Sequence, residues 1–445
     1  MSFHELSSIL ALPQFDLFAV PPTQLQVIED ITIDHTPFSA ITHNMTPIQF
    51  TTSTVADEYI ILRKSELYIK MRIDLRLKSS TEKLTINDWK KICPINYLLN
   101  TMWKSIKLEI DTFPVTSTTM NYPYIAYMDA LMNIHKDVKN THLRTALWQK
   151  DTAGRMDSIS ELRSQDIRPI NEDYNQSCEI ELVGYLHLDL CAQIKALLGG
   201  LRNINLTLYP NDPSFYLMYD DKTIEPLVRF QEVKFEFHKA KVTPQLELAH
   251  RRALHRTTAK YPITRKDCRN FIIQKDMIEY HENNVIKNDR LPRKCFLAFV
   301  GNDAFNGVPS LNPFNFKNYN ILNIRCVLNS KEYPPRGLEC NFETKQINKA
   351  YRGLFEAMGQ IDNPRCSITR SEYMDGYTIF GFNFIPDLSD GVNRNGYVSP
   401  IKVGDMSIHI RFRTPLPETV SAIVYMEYDN IIEIPETRLP IKDFQ

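Results

Sequence analysis

The chain of 445 residues reads as an all-β protein of two tandem antiparallel domains carrying a few short inserted helices. Three observations lead there. Apolar residues recur at every second position in many segments. Turn-forming residues separate those segments. The regular strand–helix alternation of a doubly wound sheet is missing. At roughly 100–200 residues per domain, the length suits two or three domains, each able to bury its own core.

The strands follow from the alternation. Leu67, Ile69, Met71, Ile73, Leu75 and Leu77 alternate with Tyr68, Lys70, Arg72, Asp74, Arg76 and Lys78, giving one buried face and one charged, wet face. Ile106, Leu108 and Ile110 repeat the pattern, as do Leu186, Leu188 and Leu190, then Ile204, Leu206 and Leu208, then Val233, Phe235 and Phe237. Later in the chain, Leu322, Ile324, Cys326 and Leu328 alternate with Asn323, Arg325, Val327 and Asn329, and Ile408, Ile410 and Phe412 alternate with His409, Arg411 and Arg413. Residues 420–428 are largely apolar at every position, as expected of a central strand covered on both faces. The clearest turn signals are Tyr209-Pro210-Asn211-Asp212-Pro213, Asn302-Asp303, Pro334-Pro335-Arg336-Gly337 and the stretch 390–396.

Helical stripes are few. Tyr124, Tyr127, Met128, Leu131, Met132 and His135 form one. Leu246, Ala249, Ala253 and Leu254 form a second within a basic stretch. Ile347, Ala350, Tyr351, Leu354, Phe355 and Met358 form the third, with Gly359 at a C-cap position. Such aromatic stripes are read as core. Each half thus holds several strands, a helix inside a long insertion, and further strands. The expected division is an N-terminal arm over residues 1–35, a first sandwich over 36–243 and a second over 244–445. A bridging helix over 244–258 opens the second.

Composition excludes some classes. Apolar residues make up 43% and charged residues 24%, unlike a disordered chain. The 52 basic and 53 acidic residues are interspersed, with a formal net charge of −1, so no basic tract signals specific nucleic-acid binding. No apolar run reaches the ~18–20 residues that span a bilayer, and the start Met1-Ser2-Phe3-His4-Glu5 lacks a secretory pattern. Synthesis in the cytosol is expected, so the Asn-x-Ser/Thr triplets at Asn44, Asn175 and Asn205 are read as chance. The eight cysteines, Cys93, Cys178, Cys191, Cys268, Cys295, Cys326, Cys340 and Cys366, show no CxxC spacing and are read as buried thiols.

No catalytic, cofactor-binding or metal-ligating residue is assigned. The sequence contains no GxxxxGK[ST], GxSxG, HExxH or GxGxxG pattern. His250 and His255 are five apart on a helix and so do not share a face. The basic run from His250 through Arg251 and Arg252 to His255 and Arg256 reads as a solvated helix face. Tyr219-Asp220-Asp221-Lys222 and Asp387-Leu388-Ser389-Asp390 read as solvated acidic loops. The stretch 1–24 is different. Leu6, Ile9, Leu10, Phe15, Leu17, Phe18 and Val20 precede Pro21-Pro22 and are too apolar to stay in water. The segment is expected either to tuck into its own fold or to dock on a neighbouring subunit or another shell component.

Several segments carry a resemblance. They are Asp16-Leu17-Phe18 through Pro21-Pro22-Thr23-Gln24, Pro94-Ile95-Asn96-Tyr97-Leu98-Leu99 with Trp103, Tyr122-Pro123-Tyr124-Ile125-Ala126-Tyr127 and Leu147-Trp148-Gln149-Lys150-Asp151-Thr152-Ala153-Gly154. Later come Lys239-Ala240-Lys241-Val242, Ala259-Lys260-Tyr261-Pro262-Ile263, Asn302-Asp303-Ala304-Phe305-Asn306-Gly307 and Asn312-Pro313-Phe314-Asn315-Phe316. Pro415-Leu416-Pro417-Glu418-Thr419-Val420 and Glu427-Tyr428-Asp429-Asn430 complete the set. In this order the chain resembles the double-jelly-roll major capsid proteins of polinton (Maverick) elements and adintoviruses. The stretch 387–396 departs from that pattern.

The resemblance implies two tandem antiparallel jelly-roll β-sandwiches and a structural, non-enzymatic role. Three chains would form a pseudo-hexagonal capsomer, and capsomers would tile an icosahedral shell, with penton and minor capsid proteins as further partners and the virion as location. The aromatic loop 304–319 is then expected at the trimer contact, with Phe314 and Phe316 as anchors. The competing reading is a carbohydrate-binding or carbohydrate-active jelly roll, which as a hydrolase would need two carboxylates converging in a cleft. A third keeps the fold in a copy resident in a host genome.

Overall fold

A computed structural model describes residues 12–18, 20–39, 41, 46–77, 85–116, 121–159, 161–167, 177–219, 224–388, 390 and 396–441. The alternating segments become strands with buried and exposed faces. In the first half these are β1 (Val27–His35), β2 (Ile48–Thr52), β3 (Glu66–Leu77), β4 (Trp103–Ile110), β5 (Phe113–Pro114), β6 (Ser177–Gly184), β7 (Ile204–Pro210) and β8 (Ile224–Val242). In the second they are β9 (Ala259–Ile273), β10 (Glu279–Arg290), β11 (Lys294–Gly301), β12 (Ile321–Leu328), β13 (Lys331–Glu339), β14 (Ile379–Asn383), β15 (Val403–Phe412) and β16 (Val420–Ile434).

The two halves repeat one topology. The first builds sheets in the order β1-β8-β3-β6 and β2-β7-β4-β5, the second β9-β16-β11-β14 and β10-β15-β12-β13. In each, the first strand of the half pairs with the eighth and the second with the seventh, all antiparallel. That wrapping is the jelly roll. Each half is therefore a jelly-roll sandwich, and the chain is a double jelly roll. Among the described residues no strand of one half pairs with a strand of the other. The strand Glu58–Ile60 adds to β8, and Ile92–Pro94 pairs with Leu217–Tyr219.

Burial follows the period of two. Leu67, Ile69, Met71 and Ile73 of β3 are fully buried, and their alternates are only partly covered. From Val420 to Glu427, β16 is buried on both faces. It pairs with β9 and β11, faces its own sandwich on one side, and packs against a helix of the first half on the other.

That helix is α1 (Tyr122–Asn133), with Pro123 in its first turn. It is buried nearly all round because it lies between the two sandwiches. Helix α2 (Pro244–Leu254) bridges them. Glu247 sits in its first turn and Arg251 and Arg252 in its last, as the helix dipole favours. Helix α3 (Asn348–Met358) buries Ala350, Leu354, Ala357 and Met358 and ends at Gly359 with φ +68°. There the amides of Gly359 and Gln360 satisfy the carbonyls of Glu356 and Phe355. Helices α1 and α3 come at the same point in the chain order of their halves, between the fifth and sixth strands.

Four expectations change. Residues 27–35, expected in the arm, form β1, paired with β8 from Val27 to His35; β1 is an outer strand with little burial, so its alternation is faint. Leu186, Leu188 and Leu190 are buried but form no strand, because their backbone runs between the two sandwiches, where the His187 amide donates to the Tyr122 hydroxyl. Pro334-Pro335-Arg336-Gly337 lies inside β13, not in a turn. The strand is outermost in its sheet, where missing amide donors are tolerated. Asn302 and Asp303 open a short helix, Asn302–Phe305. Asn44, Asn175, Asp220, Asp221, Lys222, Ser389 and residues 391–395 lie outside the described residues, as do residues 1–11 and Ala19.

Candidate functional site

The densest chemistry of the molecule lies on the seam between the two rolls. Its apolar part is a stack of aromatic rings. Tyr124 and Tyr127 project from α1 into a pocket formed by the second roll. Tyr127 stacks on Phe314 with ring centroids 4.0 Å apart, and Tyr124 stacks on Phe305 at 5.5 Å. Phe316 meets Tyr127 edge-on at 6.0 Å, and Trp148 closes the other side of Tyr127 at 5.6 Å. Phe314 and Phe316 are 0% exposed in the single chain. This overturns their expected role as trimer anchors: they are already spent on joining the chain's own halves. The sequence showed an aromatic loop but not which neighbour it would meet.

Polar locks flank the stack. The segment 147–154 reaches across to the second roll. Lys150 pairs with Glu372 at 2.7 Å and donates to the Ser367 carbonyl at 2.7 Å. The Asp151 carboxylate pairs with buried Arg163 at 2.6 Å and accepts from Asn312 Nδ2 at 3.2 Å, and the Asp151 carbonyl accepts from the Tyr377 hydroxyl at 2.8 Å. Asp157 accepts from the Asn312 amide at 2.9 Å and from Asn315 Nδ2 at 2.7 Å. Gly154 sits at φ +75°, and a Cβ there would stand 2.6 Å from Asp375 Oδ2. Two of the segments that carry the family resemblance, 147–154 and 312–316, thus hold each other.

A second lock crosses beside α1. Lys266 on β9 pairs with Asp129 on α1 at 2.7 Å, and His187 Nδ1 meets the same carboxylate at 2.6 Å. The Tyr97 hydroxyl holds His187 Nε2 at 2.7 Å. Burial alone would raise the Asp129 carboxyl, but the Lys266 ammonium and the His187 ring outweigh it and hold the group well below the usual carboxylate range. Asp189 accepts from the Lys266 amide at 3.2 Å. Burial pushes its carboxyl up to about 6, against the pull of Arg265 and Lys266.

Below this lock a cleft of about 940 Å³ opens between the rolls, lined by residues of both. Its carboxylates are Asp129, Asp390 and Glu427. Asp390 pairs with Lys294 at 2.9 Å and Arg365 at 2.7 Å, and Glu427 with Arg293 at 3.1 Å. Asp390 is therefore no solvated loop acid; its partner Lys294 is almost wholly buried. Each carboxylate of this cleft is committed to a cation, an arrangement that fixes structure and leaves no pair poised for acid–base work. Among the described residues no group of three or more His, Cys, Asp or Glu gathers into a metal site. No helix among them is long and apolar enough to cross a membrane.

The exposed surface offers the other candidate. Phe15, Leu17, Phe18 and Val20 are 74–95% exposed, and Leu25 is exposed as well. The arm therefore does not tuck into its own fold over these residues. The basic run lies on the outer face of α2, with Arg251 tied to Glu247, His250 to the Tyr59 hydroxyl and His255 to Glu436. The eight cysteines are buried free thiols.

No protein-family model matches the chain. A curated relative, the uncharacterized protein F54H12.2 of Caenorhabditis elegans, is 27% identical over 375 residues, 79% of this chain and 81% of its own length. Among solved structures, a chain in the cryo-EM structure of the Sputnik virophage superposes with a TM-score of 0.65 at 11% identity, covering 99% of this chain and 94% of that one. The mavirus major capsid protein superposes at 0.58 and 11% identity, covering 100% and 97%. The PBCV-1 protein VP54 does so at 0.57 and 10%, covering 96% and 99%. These likenesses extend over the whole double jelly roll and establish the fold.

Proposed function

We propose that this chain is a major capsid protein: a structural, non-enzymatic subunit whose homotrimers form pseudo-hexagonal capsomers of an icosahedral virus-like shell. One observation carries the reading. Two jelly rolls of identical strand order are locked side by side by a buried aromatic and ionic seam, which makes each chain a rigid tile with two similar lobes. Three such chains around a threefold axis place six similar lobes in a ring, and hexagons fill a surface. The solved structures of the same fold, among them the mavirus major capsid protein, support it.

The shell lattice, penton and minor capsid proteins are the partners this role requires, and the virion is its location. The balanced charge supports a shell that leaves genome condensation to another component. We further infer that the chain derives from a polinton-like or adintovirus-like element. A relative in a nematode beside folds found in viruses is what an element resident in animal genomes would leave. The working domain division is a first roll from β1 to residue 243 and a second over 244–445, which α2 opens. The carbohydrate-active alternative finds no support in a cleft whose acids are all ion-paired.

Light scattering and negative-stain electron microscopy of the full chain test the proposal together. Trimers of about three chain masses, or closed shells of pseudo-hexagonal tiles, are expected. A monomer that persists at high concentration across a range of salt would reject it.

A further inference from the structure

On the outer face of the second roll, His281 of β10 and His409 of β15 stand directly opposite each other in the register of the sheet. Their Nδ1 atoms lie 2.8 Å apart, and the rings meet at 86° with centroids 4.4 Å apart. Each ring is held at its far nitrogen. Glu279 Oε1 lies 3.2 Å from His281 Nε2, and Ser407 Oγ lies 3.3 Å from His409 Nε2.

The partners dictate the protons. A carboxylate only accepts, so His281 carries a proton on Nε2, and in the neutral ring that leaves its Nδ1 bare. His409 then donates from its own Nδ1 and accepts from the Ser407 hydroxyl at Nε2. If His409 moves its proton to Nε2, with the hydroxyl turning to accept, two bare Nδ1 atoms stand 2.8 Å apart. No net proton is lost in that exchange.

We propose that His281 and His409 chelate a divalent transition-metal ion of tetragonal preference, Cu²⁺ or Ni²⁺. With metal–nitrogen bonds of about 2.0 Å, two ligands at a right angle stand about 2.8 Å apart, whereas a tetrahedral angle would need about 3.3 Å. The Nδ1–Nδ1 spacing of 2.8 Å, set here by the hydrogen bond between the rings, is also the one a right-angled bite needs, so these ligands would not have to move apart. Glu279 behind His281 supplies the carboxylate that commonly orients a ligating imidazole. The remaining coordination positions are open to water. The groups facing the pair are Glu279 on β10, Ser407 and Arg411 on β15, Arg325 on β12 and Glu332 on β13. The site is separate from the seam and stands whether or not the chain builds a shell.

The test uses the full chain stripped of metal with a chelator and dialysed. Calorimetric titration with Cu²⁺, read alongside electron paramagnetic resonance, is expected to show one equivalent bound through two imidazole nitrogens. His281→Asn and His409→Asn should each weaken that binding at least tenfold, and His142→Asn should not. Circular dichroism without metal reports whether each variant folds. Should a variant misfold, the wild-type chain answers alone: bound Cu²⁺ should shield His281 and His409, mapped by peptide mass, from acylation by diethyl pyrocarbonate. Unchanged affinity and spectrum in both folded variants, or no shielding of either ring, would overturn the proposal.

Discussion

Tyr127 and Phe314, 187 positions apart in the chain, lie face to face across the boundary of the two jelly rolls, with ring centroids 4.0 Å apart and planes 9° apart. Neither ring is exposed. The pair marks where two sandwiches stop being separate beads and become one tile. The shell proposed above would need that rigidity, because a hinge between lobes would blur every contact around its threefold axis.

Replacing Phe314 by Ala should therefore lower the stability of the chain instead of loosening a trimer. Truncating a buried Phe costs about 3–5 kcal/mol. Chemical denaturation of the variant is expected to show that loss, possessed by the folded chain whatever its assembly state. A normal denaturation midpoint accompanied by a lower assembly mass would place the ring at a subunit contact after all.

The Lys266–Asp129 pair should behave as a buried ion pair with asymmetric consequences. Lys266→Ala leaves the buried Asp129 carboxylate with only the His187 ring beside it, for a loss of about 3–5 kcal/mol. Changing Lys266 to Met together with Asp129 to Leu removes both charges and should cost much less. A double-mutant cycle in urea measures the difference, and equal losses in the single and the double variant would contradict the assignment.

Asp189 carries a pH signature. Its carboxyl is pushed up to about 6 by burial, above the ~3.9 of an unfolded Asp. Between those values the folded state binds more protons than the unfolded state, so this group's contribution to stability grows as pH falls from about 6 toward about 4 and is lost as pH rises through about 6. Asp189→Asn keeps an oxygen for the Lys266 amide and removes the charge. Thermal melts from pH 4 to 7 should show the variant more stable than the wild type at pH 7, with the gap closing on acidification. A gap that widens toward pH 4 would reverse the sign and refute the argument.

Deleting residues 1–25 should leave the fold intact, since the described part of the arm is exposed. The melting temperature is expected to change little, while closed shells become rarer or less regular under the microscope. A large drop in melting temperature would show instead that the arm is part of the single chain's core.

The strand content was legible in the sequence because the pattern that encodes it is local. A period of two carried by six apolar residues, as in Leu67 to Leu77, declares a half-buried strand without reference to any partner. The third helix was legible for the same reason, through its stripe and Gly359. β1 was missed because an outer strand with two partly wet faces has no sharp alternation. Leu186 to Leu190 misled because burial between two rolls imposes the same apolar spacing without a neighbouring strand to pair with.

By itself, then, the sequence determined the class of element along most of the chain, its division into two similar halves and the absence of a recognisable catalytic motif. The tertiary structure alone decided the strand order, the use of Phe314 and Phe316 inside the chain, the conversion of Asp390 from a loop acid into the partner of Lys294, and the meeting of His281 with His409. The physical reason is distance along the chain. Alternation and capping act within a few residues, whereas these side-chain contacts join residues from 96 to 189 positions apart, whose encounter depends on how the whole chain wraps.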